Sequence, residues 1–129
     1  MDGMSAKRIL VVDDESEIVD LLVDLLSSRG FEVNAASNAT GAIDLVRKHI
    51  FDAAILDFNL PDMNGVMLHR QLRQMDKELA EHTLFTSGFA QSSQNLGYYA
   101  SCGVGFLSKP FEANELLESL HSMWQKPEA

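Results

Sequence analysis

The chain has 129 residues, 46% of them hydrophobic and 22% charged, with a formal net charge of −9. That length and balance describe one globular domain with a single core and exclude a disordered chain. The acidic excess excludes a nucleic-acid-binding surface, which needs clustered Lys and Arg. The lone Cys102 excludes an internal disulfide and points to a reducing compartment and a structural, half-buried thiol.

In chain order, residues 1–6 are a short polar lead expected to be flexible. Arg8–Val12 is a continuous apolar run, as a strand covered on both faces requires. Ile18, Leu21, Leu22, Leu25 and Leu26 then recur at helical spacing, and Gly30 stops that helix. Phe31–Ala36 reads as a second strand. Ser37 or Asn38 caps the second helix, whose inner face carries Ala39, Ala42, Ile43 and Val46. Phe51–Leu56 is the third strand, and the turn residues Asn59 to Gly65 lead to a third helix with Leu68, Leu72, Met75 and Leu79 inward. Thr83–Thr86 is the fourth strand. The fourth helix, Ser92–Ser101, is the weakest, because it holds Gly97 and many Ser, Gln and Asn. Val104–Leu107 is the fifth strand. Glu112–Trp124 is the last helix, with Leu116, Leu117, Leu120 and a core Trp124 on one face, and residues 126–129 form a tail.

Five strands alternating with five helices predict an α/β fold, a doubly wound parallel sheet with right-handed crossovers over residues 7–125. No apolar run approaches the ~20 residues of a membrane span, and no signal peptide is visible, so the expectation is a cytoplasmic protein away from membranes.

In such sheets, sites form beyond the carboxyl ends of the strands. Strand one ends in Asp13, Asp14 and Glu15, strand three in Asp57, strand four in Thr86-Ser87-Gly88, and strand five in Ser108-Lys109-Pro110. Singly these have plain readings: helix caps, a turn ahead of Pro61, a surface lysine. Together they place carboxylates, a hydroxyl and an ammonium at one edge. Two carboxylates about 4 Å apart repel by roughly 4 kcal/mol at an effective dielectric of about 20. The cluster therefore asks for a hard cation and leaves one carboxylate to act as a nucleophile.

From Lys7 to about Trp124 the chain resembles the receiver domains of two-component response regulators, the CheY-like group of the flavodoxin-like fold with strand order 2-1-3-4-5, a fold for which CheY is a standard example. The motifs that carry the likeness are Ile-Leu-Val-Val-Asp13-Asp14-Glu, Ala-Ile-Leu-Asp57-Phe-Asn-Leu-Pro61-Asp-Met-Asn-Gly65, Phe-Thr-Ser87-Gly88 and Gly105-Phe106-Leu-Ser-Lys109-Pro110-Phe.

The resemblance implies that Asp57 is the phosphoacceptor. Asp13, Asp14 and Asp57, with the backbone carbonyl of Asn59, would bind Mg²⁺ (or Mn²⁺). Ser87 would bond the phosphoryl group, with Thr86 as the alternative hydroxyl, and Lys109 would pair with Asp57 and then with a phosphoryl oxygen. Ser87 and Phe106 would form the switch. Phe106 lacks a tyrosine's hydroxyl, so packing alone would steer it. The resemblance also implies a cis bond between Lys109 and Pro110. Asn59 and Phe89 stand where attacking water would pass, and a bulky Phe89 would slow it.

The implied partners are a histidine kinase or histidine phosphotransfer protein as donor, and a target protein or output domain that reads the fourth helix, fifth strand and last helix. The chain would be a monomer or a phosphorylation-dependent dimer. It would promote its own phosphorylation and dephosphorylation without turning over an external substrate.

Three other readings compete. A metal-dependent phosphatase with an aspartate nucleophile would need a second Asp two residues on, where this chain has Asn59. A docking module independent of phosphorylation would not need the full set of acids, hydroxyl and lysine. A flavin or nucleotide site would require a phosphate-cradling glycine loop after strand one, where Asp13-Asp14-Glu15 stands instead.

Overall fold

Side chains along β1 (Arg8–Val12) alternate between two apolar layers. Ile9 and Val11 pack into one, and Leu10 and Val12 into the other. This period of two marks a strand buried on both faces. The structure, a computed structural model, describes residues 7–87 and 105–124. Besides β1 it contains strands β2 (Glu32–Ala36), β3 (Ala53–Asp57), β4 (Thr83–Ser87) and β5 (Gly105–Ser108). All neighbouring pairs are parallel, in the order β2-β1-β3-β4-β5. This is the doubly wound, flavodoxin-like order that the resemblance implied.

Five helices are present among the described residues: α1 (Ser16–Ser28), α2 (Ala39–Lys48), α3 (Gly65–Met75), α4 (Lys77–Glu81) and α5 (Ala113–Trp124). One layer joins Leu22 and Leu26 of α1 to Leu116, Leu117 and Leu120 of α5 across Ile9, Val11, Ile55 and Leu84. The other joins Ala39 and Ala42 of α2, Leu68 and Leu72 of α3, and Leu79 of α4 across Leu10, Val12, Leu56 and Phe85. No helix among the described residues is long and apolar enough to cross a membrane.

The helix ends follow their sequence signals. At the end of α1, Gly30 takes φ +90°. There Phe31 N–H donates to the Leu26 carbonyl and Gly30 N–H to that of Ser27, each at 3.1 Å. These are the paired bonds of a Schellman cap, in which a positive φ favours glycine. Of the two candidate caps for α2, Asn38 holds the position, its Oδ1 accepting from Gly41 N–H at 2.8 Å.

Three differences from the expected elements have physical causes. The third helix is broken in two at Asp76. That residue is extended, its N–H closes α3 on the Leu72 carbonyl at 2.7 Å, and its carboxylate caps α4 on Leu79 N–H at 3.1 Å. An aspartate that can bond nearby backbone in this way favours a cap over a helix interior. Leu68, Leu72 and Leu79 face inward as expected, but Met75, in the last turn before the break, is 39% exposed. Third, Trp124 lies at the margin of the α1–α5 layer, not deep within it. It packs against Phe31 with ring centroids 5.7 Å apart, and its indole N–H donates to the Asp52 carbonyl at 3.2 Å. The predicted helix Ser92–Ser101, together with Gly88, Phe89 and Cys102, lies outside the described residues.

Between α3 and α4, His69 is buried, with Nε2 2.8 Å from the Ala80 carbonyl and its ring edge-on to Phe85 at 5.3 Å. Burial, aided by the charge of Arg73, lowers its pKa below the usual imidazole value, against the opposing bond to Ala80.

Candidate functional site

The register brings the acidic strand ends together. Val12 pairs with Leu56, so the next residues, Asp13 and Asp57, leave the sheet side by side. Asp13 N–H donates to the Ala36 carbonyl at 3.1 Å, continuing the β1–β2 pairing by one residue. The Asp13 Oδ1 then accepts from Glu15 N–H at 2.9 Å, which turns the chain into α1. Asp13 and Asp57 are buried, 2% and 3% exposed, whereas Asp14 is open to solvent. Each of Asp13, Asp14 and Asp57 offers an oxygen within 4.8 Å of the others. A set of hard carboxylate donors at that spacing fits a divalent cation that prefers oxygen, such as Mg²⁺.

The segment after Asp57 is a closed loop. Phe58 N–H donates to the Thr86 carbonyl at 2.8 Å, and Gly65 N–H returns to the Phe58 carbonyl at 2.7 Å. Asn59 and Asn64 pair as an isolated antiparallel bridge. Gly65 is required by space: a Cβ there would lie 2.9 Å from both the Asp57 carbonyl oxygen and the Phe58 Cα. The Asn59 N–H faces the Asp57 Oδ1 at 3.3 Å, so the loop also touches the carboxylate.

Lys109 arrives from the end of β5, where its N–H donates to the Ser87 carbonyl at 2.7 Å. The Lys109–Pro110 peptide is cis, as the resemblance implied. The ammonium donates to Asp13 Oδ2 and Glu15 Oε1, each at 2.8 Å, and to Asp57 Oδ2 at 3.4 Å. The expected pairing with Asp57 is therefore present, but it is the longest of three. Glu15 was visible in the sequence as a strand-end acid without a role. Nothing in its local spacing signals that it meets a lysine 94 residues away.

The electrostatics match this crowding. Burial, then the charge of Asp13, raises the Asp57 pKa above the ordinary carboxylate value, although Lys109 and the Asn59 N–H pull the other way. For Lys109, burial alone would weaken the ammonium. The bonds to Asp13 and Glu15 and the charges of Asp13 and Asp57 together outweigh it and raise its pKa. An open cleft of about 490 Å³ lies over the cluster, lined by Asp14, Glu15, Ile18, Asp57, Asn59, Lys109 and Pro110.

The two candidate hydroxyls, Thr86 and Ser87, are both buried at 1% exposure. Thr86 pairs in register with Asp57 and with Leu107, while Ser87 pairs with Ser108. Strand alternation puts Ser87 on the same face as Phe85 and Thr86 on that of Leu84. Phe106 pairs with Phe85 and packs, half-buried, against the α2–α3 layer. Ser87 and Phe106 therefore share one face of the sheet.

A family model described as the response regulator receiver domain matches residues 9–121. The chemotaxis protein CheY of Bacillus subtilis is 30% identical over 117 residues, spanning 90% of this chain and 96% of that protein. The response regulator receiver protein CpdR of Brucella abortus is 29% identical over 117 residues, spanning 91% and 96%. Among solved structures, a CheY-like response regulator receiver domain protein from Methanospirillum hungatei superposes with a TM-score of 0.84 at 28% identity. That likeness covers 95% of this chain and all of the other.

Proposed function

Because the chain belongs to the response regulator receiver domain family of two-component signalling, we propose that it accepts a phosphoryl group on Asp57 from a phosphohistidine of a histidine kinase or histidine phosphotransfer protein. Members of the family are signalling modules, not conventional enzymes. The observation that carries the proposal is the meeting of Asp13, Asp14 and Asp57 within 4.8 Å, with the Lys109 ammonium reaching two of them from another strand.

The carboxylates of Asp13, Asp14 and Asp57 and the backbone carbonyl of Asn59 would hold Mg²⁺ or Mn²⁺. When bound, the cation supplies the positive charge that a phosphoryl group's oxygens require. Asp57 presents an oxygen to the phosphorus from the floor of the cleft. The new O–P bond forms as the P–N bond to the donor imidazole breaks, and the imidazole takes up a proton. Placement and neutralisation of charge suffice, so no general base is needed. The resulting acyl phosphate is later hydrolysed by water, which releases phosphate and restores the carboxylate. Asn59 and Phe89 would line the path of that water.

Lys109 already sits between Asp13, Glu15 and Asp57, and it would turn one donor to a phosphoryl oxygen. Ser87 would donate its hydroxyl to another, with Thr86 as the alternative. The bond from Lys109 N–H to the Ser87 carbonyl supports Ser87, since it ties those two strand ends together. Its shared face with Phe106 supports a packing switch that couples the two. Output would pass through β5, α5 and the segment 92–101 to a target protein or output domain.

The test is to incubate the protein with Mg²⁺ and acetyl phosphate and follow its intact mass. The expected result is a single phosphoryl adduct, removed by hydroxylamine and absent in Asp57→Asn. A wild-type protein left unmodified where a control receiver labels would overturn the proposal.

A further inference from the structure

The loop from Phe58 to Asn64 is pinned twice. Its base closes on itself through the Gly65–Phe58 bond and the Asn59–Asn64 bridge. Its tip is held by Asp62, which is exposed yet fully engaged. Asp62 Oδ1 accepts from Ala39 N–H at 2.9 Å, and Oδ2 accepts from Thr40 N–H at 3.0 Å and from the Thr40 hydroxyl at 2.8 Å. Ala39 and Thr40 are the first two residues of α2, and the side chain of the helix's own cap, Asn38, serves Gly41. Asp62 thus satisfies two N–H groups that a helix start leaves unpaired, with a charge that suits the helix dipole. The Ala39 and Thr40 amides hold its carboxyl at a pKa of about 2, far below the usual range. The helix it grips is anchored in turn, because Ala39 and Ala42 are wholly buried against the sheet.

We propose that Asp62 is a positioning residue for the phosphoacceptor site: by clamping the loop tip to the start of α2, it fixes the Asn59 backbone carbonyl relative to Asp57. The inference rests on the receiver reading above, in which that carbonyl serves the cation. The competing account is that Asp62 merely caps α2, with no bearing on the site.

The two accounts separate in the intact chain with Mg²⁺ and acetyl phosphate as the probes. Amide exchange is followed without metal, Mg²⁺ affinity is measured by calorimetry, and labelling by acetyl phosphate is followed across Mg²⁺ concentrations. In Asp62→Ala, exchange of residues 58–64 should quicken while that of β1 and β3 stays unchanged. Mg²⁺ should bind about tenfold more weakly, the lower end of what losing a supporting bond around a metal ligand costs. Labelling should recover to near the wild-type rate at saturating Mg²⁺. Asp62→Asn, which keeps an acceptor oxygen without the charge, should fall between, and it carries the test if the alanine variant does not fold.

A lowered melting temperature with unchanged loop exchange and unchanged Mg²⁺ affinity would reduce Asp62 to a helix cap and overturn the inference. Wild-type protein that neither binds Mg²⁺ nor labels would instead overturn the receiver reading, and this inference with it.

Discussion

Lys109 has three carboxylates within reach, and only Glu15 among them is exposed to solvent. The ammonium therefore compensates two buried carboxylates at once. Replacing it by methionine keeps the length of the side chain but leaves Asp13 and Asp57 facing each other without a cation. Breaking a buried ion pair from one side commonly costs several kcal/mol. Lys109→Met should lose roughly 3 kcal/mol of stability without metal, read by urea unfolding in the presence of a chelator. An unchanged unfolding midpoint would mean that water, not Lys109, compensates the cluster.

Asp13, Asp14, Asp57 and Lys109 were legible because each closes an apolar run, and a parallel sheet brings such ends to one edge. The roles of Glu15 and Asp62 were not. Their partners lie 94 and 22–23 residues away, and no local periodicity encodes a bond formed only when two loops meet.

At the scale of the element, the strands were the easier part, since continuous apolar runs between turn residues leave little room for another reading. The third helix was harder. Its leucines keep helical spacing through Leu79, and only the backbone of Asp76 breaks it. A periodic pattern does not reveal that one aspartate ends one helix and begins the next. The join between β3 and α3 makes a sharper demand. The Cβ of an alanine at Gly65 would press at 2.9 Å on backbone, which cannot rotate away, whereas at Gly105 it would meet only the Leu84 Cδ1 at 2.8 Å. Gly65→Ala should therefore cost about 2 kcal/mol, within the range for overpacking a filled site, and Gly105→Ala distinctly less because a side-chain methyl can shift. Urea unfolding of the two variants checks the order.

Across the whole molecule, two apolar layers hold a sheet whose buried carboxylates, Asp13 and Asp57, gather at one edge. A chain of net charge −9 that also packs like charges into that edge should gain stability from a divalent cation. At a hundredfold excess over its dissociation constant, a ligand bound only by the folded state adds about 2.7 kcal/mol. Mg²⁺ should raise the unfolding free energy of the wild type by about that amount, and should do little for Asp14→Asn under the same conditions. Equal gains in both proteins would assign the effect to general screening.

The chain provides its own optical reporter for such experiments. Trp124 is the single tryptophan, and it is bonded to the Asp52 carbonyl with the Lys7 ammonium 4.8 Å from the ring centroid. Asp52 precedes the strand that Asp57 ends. At about 3.3 Å per residue, five residues of strand set the indole's anchor roughly 17 Å from the acceptor carboxylate. Its fluorescence should therefore follow melting of the protein and stay silent when an ion arrives. Emission from this fluorophore then separates what the site binds from whether the domain remains folded.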